Sequence, residues 1–398
     1  MKGYQYIIIG GGMTGSAAVA GIRKNDMRDT IAMFSKEEYG PYNRPPLTKG
    51  LWNGMQVNDI MRPTDTEKID LYLETPIAEI KPEQNSVLTQ TGEHFHYEKL
   101  LLATGGHPTH LPETPEGVIY YRTRADYEKV RALADAKRNF CVIGGGFIGS
   151  EITAALTKFG SQVTMIFPET GISGRIFPDN LSDFITGYYR EKGVIVHANN
   201  LVRAIRKENE KYYVRYQDIR THVEDEDAFD AVIIGIGLQP DISLAEKAGI
   251  ETSNGIEVNA FLQTNHPDIF AAGDVADFYH HGLSKHVRVE HEDNANKMGM
   301  RAGLNMSGEM AEYDHFPFFY SDLFDLGYEA LGELNKTYEI HEDWIDPFKK
   351  GTLFYLEEDK IRGLVFWNLW GKVDPGREMI QAGKPFVKSD LTGLFKDE

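Results

Sequence analysis

Two stretches of this chain carry the same punctuation. "YIIIGGGMTGSAAVAGI" runs from an apolar segment near Tyr6 through Gly10, Gly12 and Gly15 into an alanine-rich pattern, and "FCVIGGGFIGSEITAAL" does the same through Gly144, Gly146 and Gly149. All three glycines keep a constant offset of 134 residues, and so does the end of the next apolar run, where Ser35 corresponds to Glu169. An apolar strand, a Gly-x-Gly-x-x-Gly turn and a helix form the unit in which a backbone comes close to a pyrophosphate and a helix N-terminus faces its charge. One such match is weak, since glycines also serve plain tight turns. Two in register constrain the chain to an α/β fold with two Rossmann-like dinucleotide-binding domains.

At 398 residues there is material for two or three domains, taking roughly 100–200 residues each. Further strands are expected at "KLLLATGGHP" (99–108) and "DAVIIGIGLQPD" (230–241), each returning to a sheet edge and ending in glycine-rich chain. "IFAAGDVADF" (269–278) reads as a strand stopped by Gly273 and Asp274. In the helix that follows, Ala295, Met298 and Ala302 share one face. From about Phe316 the chain turns aromatic and hairpin-like, with Glu357 to Lys360 as the turn of "TLFYLEEDKIRGLVFW". This predicts a C-terminal α+β domain.

Composition removes several function classes. Lys and Arg total 42 against 60 Asp and Glu, and the net charge of −18 repels nucleic acid and anionic lipid. No apolar run approaches the ~18 residues that span a bilayer, so no integral membrane segment is expected. The single cysteine, Cys141, allows no internal disulfide and no Cys-x-x-Cys chemistry, which fits a cytoplasmic setting without a targeting segment. Histidines 280, 281, 286 and 291 match no metal-ligand spacing, and no metal is expected.

The acid expected about 20 residues beyond each glycine turn accepts hydrogen bonds from an adenosine ribose. Glu169 stands at the end of "QVTMIFPE" with no arginine directly after it, which favours NADH over NADPH, although Arg175 is near. In the first segment Ser35 holds the matching place; of the following acids, Glu37 and Glu38, Glu37 is favoured for the ribose. In "YNRPPLTKG" two prolines stiffen the backbone between Arg44 and Lys49.

The order of the two glycine turns, "LLATGG", "GIGLQPD" and "IFAAGDV" resembles the flavoprotein pyridine nucleotide oxidoreductases, which bind FAD first and NAD(P)H second. Finer matches, "GPYNRPPLTKGLW", "GGGFIGSE", "FPETG", "RVEHEDNA", "FFYSDLFDLGYEALGEL" and "LVFWNLW", are similar to apoptosis-inducing factor and its prokaryotic relatives, over residues 6 to about 370. The resemblance implies an FAD domain of 1–112 with 245–315, an NAD(H) domain of 113–244 and a C-terminal domain of 316–398. It implies that Gly10, Gly12, Gly15, Glu37, Arg44, Lys49, Ala103, Thr104, Gly105, Gly273, Asp274, Glu290, His291 and Tyr320 bind FAD. It assigns Gly144, Gly146, Phe147, Ile148, Gly149, Glu151, Glu169, Gly235 and Gly237 to NAD. Arg44 would lie near the pyrophosphate and Lys49 against the isoalloxazine, paired with Glu151; Asp274 would meet the ribityl chain, and Phe319 or Tyr320 the ring. Glu290 and His291 would open a helix aimed at the charge that appears on reduction. Lys49, Glu151, Glu290 and His291 are therefore the expected catalytic set.

Departures bound the likeness. The stretch between Leu334 and Gly351 is short where the mitochondrial protein has a long insertion, and Tyr320 replaces a tryptophan. No mitochondrial leader is expected, and cell-death roles are not carried over. The aromatic signature of the ferredoxin reductase branch is replaced by Val289-Glu290-His291-Glu292. The expected function is an FAD-dependent NADH oxidoreductase that passes electrons to a quinone, oxygen or a protein carrier. Two alternatives stand beside it: a ferredoxin or rubredoxin reductase, and a redox-sensing scaffold, dimeric, with a long-lived charge-transfer complex. Homodimerisation is compatible with all three.

Overall fold

The fold, seen in a computed structural model that describes residues 2–63 and 68–396, divides into two compact units. The first comprises Met1–Arg44, Gln56–His107 and Gln239–Phe318; the second comprises Pro45–Met55, Pro108–Leu238 and Phe319–Glu398.

In the first unit the strand Lys2–Ile9 lies between two parallel neighbours, Ile31–Phe34 and His94–Leu102. The sheet continues through Asp70–Tyr72 on one side and the antiparallel pair Ser86–Thr89 and Ile77–Lys81 on the other, while Ile269–Ala271 also pairs with His94–Leu102. Residues Ile7, Ile8 and Leu100 to Leu102 are completely buried. Unbroken burial of this kind belongs to parallel strands covered on both faces. It also corrects one expectation: the "KLLLATGG" strand runs through the sheet interior, beside the glycine-turn strand, because its leucines need cover on both sides. The "DAVIIGIG" strand, Ala231–Ile234, is likewise internal, between Phe140–Ile143 and Ile119–Tyr120.

The helix Met13–Asn25 packs on Glu292–Met306 with backbones nearly touching. A Cβ on Gly303 would stand 2.0 Å from the Ala18 carbonyl oxygen, and one on Gly299 would stand 2.4 Å from that of Thr14. As expected, Ala295, Met298 and Ala302 are buried in this face.

The second unit holds a five-stranded parallel sheet ordered Ile195–His197, Val163–Ile166, Phe140–Ile143, Ala231–Ile234, Ile119–Tyr120. A three-stranded antiparallel sheet is attached to it: Asn200–Glu208, Lys211–Asp218 and Glu224–Phe229. Its last strand stands at the edge and carries four consecutive exposed carboxylates, Glu224 to Asp227. The C-terminal part is a five-stranded sheet with the helix Val373–Ala382. Its hairpin pairs Glu357 with Lys360, and Glu358 and Asp359 both take positive φ, as a type I′ hairpin turn requires.

A buried histidine ties the stability of the first unit to pH. His280 ends the strand Ala276–His280 and is 5% exposed, edge-on to the Phe316 ring. Its Nδ1 accepts a hydrogen bond from the Leu283 amide, and Nε2 has no partner. Burial pushes the imidazole down to about 4, below its ordinary 6.5. The unfolded chain therefore binds a proton that the folded chain refuses, and stability falls as pH drops from 6.5 towards 4. We expect His280→Asn, which keeps an acceptor but cannot titrate, to remove on the order of 2–3 kcal/mol of that acid-side loss. Urea unfolding at pH 4.5 and 7 measures it; parallel losses in both proteins would rule His280 out.

Candidate functional site

The two glycine turns share one geometry. Gly10 and Gly144 adopt φ of +127° and +117°, values open to glycine. A Cβ on Gly10 would stand 2.0 Å from the Ala103 carbonyl oxygen, and one on Gly144 would stand 2.3 Å from that of Gly235. Gly15 and Gly149 are packed against the carbonyls of Gly10 and Gly144, at 2.1 and 2.0 Å for a built Cβ. These four glycines close the strand-to-helix turn.

Gly12 and Gly146 differ. Each caps the following helix in an ordinary extended conformation, without a side-chain cap, and a Cβ on either would meet nothing within 4 Å. Neither backbone strain nor packing requires glycine there. What a side chain would occupy is the open space before a helix N-terminus whose first N–H groups lack partners, a fitting seat for a phosphate anion.

Around the first turn, Glu37 and Arg44 make one cluster. Arg44 Nη2 donates to Glu37 Oε1 at 2.6 Å, and the Tyr42 hydroxyl donates to Glu37 Oε2 at 2.6 Å. Burial opposes the Arg44 charge, and Tyr42, Glu37 and Asp274 more than offset it, so the guanidinium is held firmly protonated. Separate reading of these two residues from sequence missed their pairing. The Ser35 hydroxyl accepts from the Glu37 amide. Thr104 donates to the Asp241 carbonyl at 2.8 Å, and Gly105 takes φ of +67°.

The "AGDV" segment meets the same turn: a Cβ on Gly273 would fall 2.2 Å from Thr14 Oγ1, one residue before Gly15. Asp274 follows, half-buried, and its carbonyl accepts from Arg288 Nη1 at 3.1 Å. Arg288 also pairs with Glu290, and sequence reading had not singled it out. Glu290 thus lies just outside the helix Glu292–Met306, with its carboxylate engaged by a cation. His291 is the N-cap and makes no side-chain cap. Burial pushes His291 down to about 4, against the pull of Asp274 and Asp293, so at neutral pH this helix terminus presents a neutral imidazole and a partial positive dipole.

In the second unit Lys49 and Glu151 form an ion pair, Nζ to Oε2 at 2.6 Å, with only 13% and 6% of their side chains exposed. The Thr48 hydroxyl donates to the same carboxylate oxygen at 2.6 Å, and the Ser321 hydroxyl donates to Oε1 at 2.7 Å. Lys49 Nζ lies 5.2 Å from the Tyr320 ring centroid. Pro45–Leu47 is a single 3-10 turn whose Leu47 carbonyl accepts from Trp52 Nε1 and the Tyr121 hydroxyl. These bonds, with the prolines, anchor the segment that carries Lys49.

Phe147, first residue of the helix Phe147–Lys158, stands edge-on to Phe319 at 5.3 Å, and Ile148 beside it is exposed. Gly237 takes φ of +118°. The strand Val163–Ile166 ends three residues before Glu169, which lies on the following loop and pairs with the exposed Arg175. Both line a cavity of about 430 Å³ together with Thr170, Asn199 and Lys336. Among the described residues no group of three or more potential ligands could hold a metal ion, and no helix is long and apolar enough to cross a membrane.

Comparison with known proteins agrees with this geometry. The family model for pyridine nucleotide-disulphide oxidoreductases matches residues 4–299, and that for the C-terminal part of mitochondrion-associated apoptosis-inducing factor matches residues 333–382. Apoptosis-inducing factor 1, mitochondrial, of Dictyostelium discoideum is 31% identical over 95% of this chain and 78% of its own. The ferredoxin reductase subunit of a 5,5'-dehydrodivanillate O-demethylase from a Sphingobium strain is 33% identical over 83% of this chain and 82% of its own. Of solved structures, the covalent putidaredoxin reductase–putidaredoxin complex superposes with a TM-score of 0.90 at 26% identity, covering 98% of this chain and 96% of the other. Duplicated glycine turns and a family match across most of the sequence lead to one conclusion: the chain belongs to the pyridine nucleotide-disulphide oxidoreductases, on their apoptosis-inducing-factor-like side, and is an FAD- and NAD(H)-binding oxidoreductase.

Proposed function

We propose that the chain is an NADH-preferring reductase with an FAD domain of 1–112 and 245–315, an NAD(H) domain of 113–244 and a C-terminal domain of 316–398. The observation that carries this reading is the pair of uncapped helix N-termini behind Gly12 and Gly146, each with open space where a side chain would stand. Two diphosphates held by one chain imply two cofactors that exchange electrons. Bound FAD supplies a ring that accepts hydride from the nicotinamide.

In this reading the Gly10–Gly15 turn, with Ala103, Thr104 and Gly105 behind it, receives the FAD pyrophosphate and Arg44 adds a fixed cation. Glu37, oriented by Arg44 and Tyr42, takes the ribose. Asp274 accepts from the ribityl hydroxyls after the close turn at Gly273. The helix terminus at His291 offers N–H groups to charge that develops on the ring, and Glu290, neutralised by Arg288, adds no opposing field. Lys49 supplies a cation on the hydride-accepting side, Glu151 keeps it there, and Tyr320 flanks the ring. On the nucleotide side the Gly144–Gly149 turn and Gly235 hold the diphosphate. Phe147, Ile148 and Gly237 shape the nicotinamide pocket and exclude water.

Preference for NADH rests on Glu169, whose carboxylate accepts from a free 2'-hydroxyl and repels a 2'-phosphate. Arg175 is already paired with it. For the acceptor, a protein carrier is favoured by the ferredoxin reductase subunit among the relatives and by the likeness to putidaredoxin reductase. Small quinones and oxygen remain the competing acceptors, and steady-state turnover with each class separates them: a ferredoxin-type protein should raise NADH oxidation well above the rate in air, and equal rates would sink this choice.

Gly12→Val should fold and come off purification colourless, since the new side chain meets solvent space in the apoprotein and the pyrophosphate in the holoprotein. A yellow variant would remove this turn from FAD. Glu169→Arg should raise the NADPH-to-NADH ratio of kcat/KM by roughly tenfold or more, about one charge interaction's worth; an unaltered ratio would clear Glu169 of the ribose. Lys49→Ala should retain FAD yet slow anaerobic flavin reduction by roughly 10²-fold, the scale of losing one aimed charge. A wild-type rate would dismiss Lys49 from the chemistry.

A further inference from the structure

Glu151 sits in the middle of the helix Phe147–Lys158 and is 5% exposed. A carboxylate so placed must be compensated, yet a buried ion pair is a poor means of stabilising a fold: apolar side chains of like volume commonly do as well or better. Here the compensation is elaborate. Lys49 and Thr48 share one carboxylate oxygen and Ser321 takes the other. The three partners come from two distant parts of the sequence, the loop after the prolines and the strand Phe318–Leu323.

The proton count gives this network a direction. Ser321 is 1% exposed and has one hydroxyl proton, which it donates to Glu151 Oε1 at 2.7 Å. Thr48 likewise has one proton. Its bond to Glu151 at 2.6 Å is far shorter than its contact with the Pro45 carbonyl at 3.3 Å, so the proton goes to the carboxylate. With both oxygens held by hydroxyls, Glu151 cannot rotate away from Lys49.

We propose that Thr48 and Ser321 are positioning residues for hydride transfer: they lock the Glu151 carboxylate, which in turn fixes Lys49 Nζ, and Ser321 makes the C-terminal segment a participant in flavin reduction. This rests on the reading of Lys49 as the cation on the hydride-accepting side. A merely structural role would lower stability without singling out the reduction step.

Anaerobic stopped-flow reduction of the FAD-loaded protein by NADH decides it. Ser321→Ala and Thr48→Val should each keep FAD and slow reduction by roughly tenfold, the worth of one hydrogen bond to a charged group. Apparent NADH affinity should hold within about twofold, and Ser321→Thr and Thr48→Ser should restore the rate, since each keeps the hydroxyl. In a Lys49→Ala background Ser321→Ala should add nothing, because the network acts through Lys49. If Lys49→Ala is slow while both hydroxyl variants react at the wild-type rate, the network is overturned and the Lys49 reading stands. If Lys49→Ala itself reacts normally, both fall. Equal slowing by Ser321→Ala with and without Lys49 would mark a general packing defect and also overturn the proposal. Should Ser321→Ala fail to fold, Thr48→Val, in a separate loop, decides by the same criteria.

Discussion

The carbonyl oxygens of Gly10 and Gly144 occupy the places where side chains on Gly15 and Gly149 would project. This contact allows a strand to turn directly into a helix, leaving the first amides of the helix unpaired and facing outward. The uncapped termini at Gly12 and Gly146, the carbonyls of Ala103 and Gly235 behind them, and the turn at Gly273 against Thr14 all take their positions from it. Its cost is an exposed set of backbone donors, and the cost becomes useful when an anion arrives.

Electrostatics then separates the remaining residues by how their charges are compensated. Arg44 and Glu37 neutralise each other at the first turn, and Arg288 and Glu290 do so before the helix at His291. His291 itself is held neutral by burial. Lys49 and Glu151 form a third pair, and it is the one most completely withdrawn from water. Each ionic group is thus matched locally, in a chain whose overall charge is strongly negative. Under the proposed function, this local matching would let an acidic protein accept two anionic nucleotides.

Much of this was legible in the sequence because backbone-determined features have short-range signatures. The paired glycine turns, the buried helical face of Ala295, Met298 and Ala302, and the hairpin at Glu357 to Lys360 each depend on residues close together in the chain. Side-chain partnerships were less visible. Glu37 with Arg44 was hidden because a seven-residue loop separation has no periodicity to read. Ser321 was missed for a stronger reason: its partner is defined by how the chain returns, across 170 residues to Glu151. The assignment of two strands to sheet edges failed because a buried apolar run reveals that a strand is covered, not which neighbours cover it.

The acidic strand Glu224–Phe229 closes the small antiparallel sheet with one side of its backbone unpartnered within that sheet. Glu226 is paired with Arg206 and Glu224 lies 4.0 Å from Arg215, so Asp225 and Asp227 carry most of what is left of this edge's negative charge, an electrostatic fence against strand addition from a second molecule. Such a fence is conditional on ionisation and on weak screening. Acidification, or concentrated salt, lowers it while leaving the strand's hydrogen-bonding template intact, so colloidal instability of this protein should begin at that edge rather than at its hydrophobic interior.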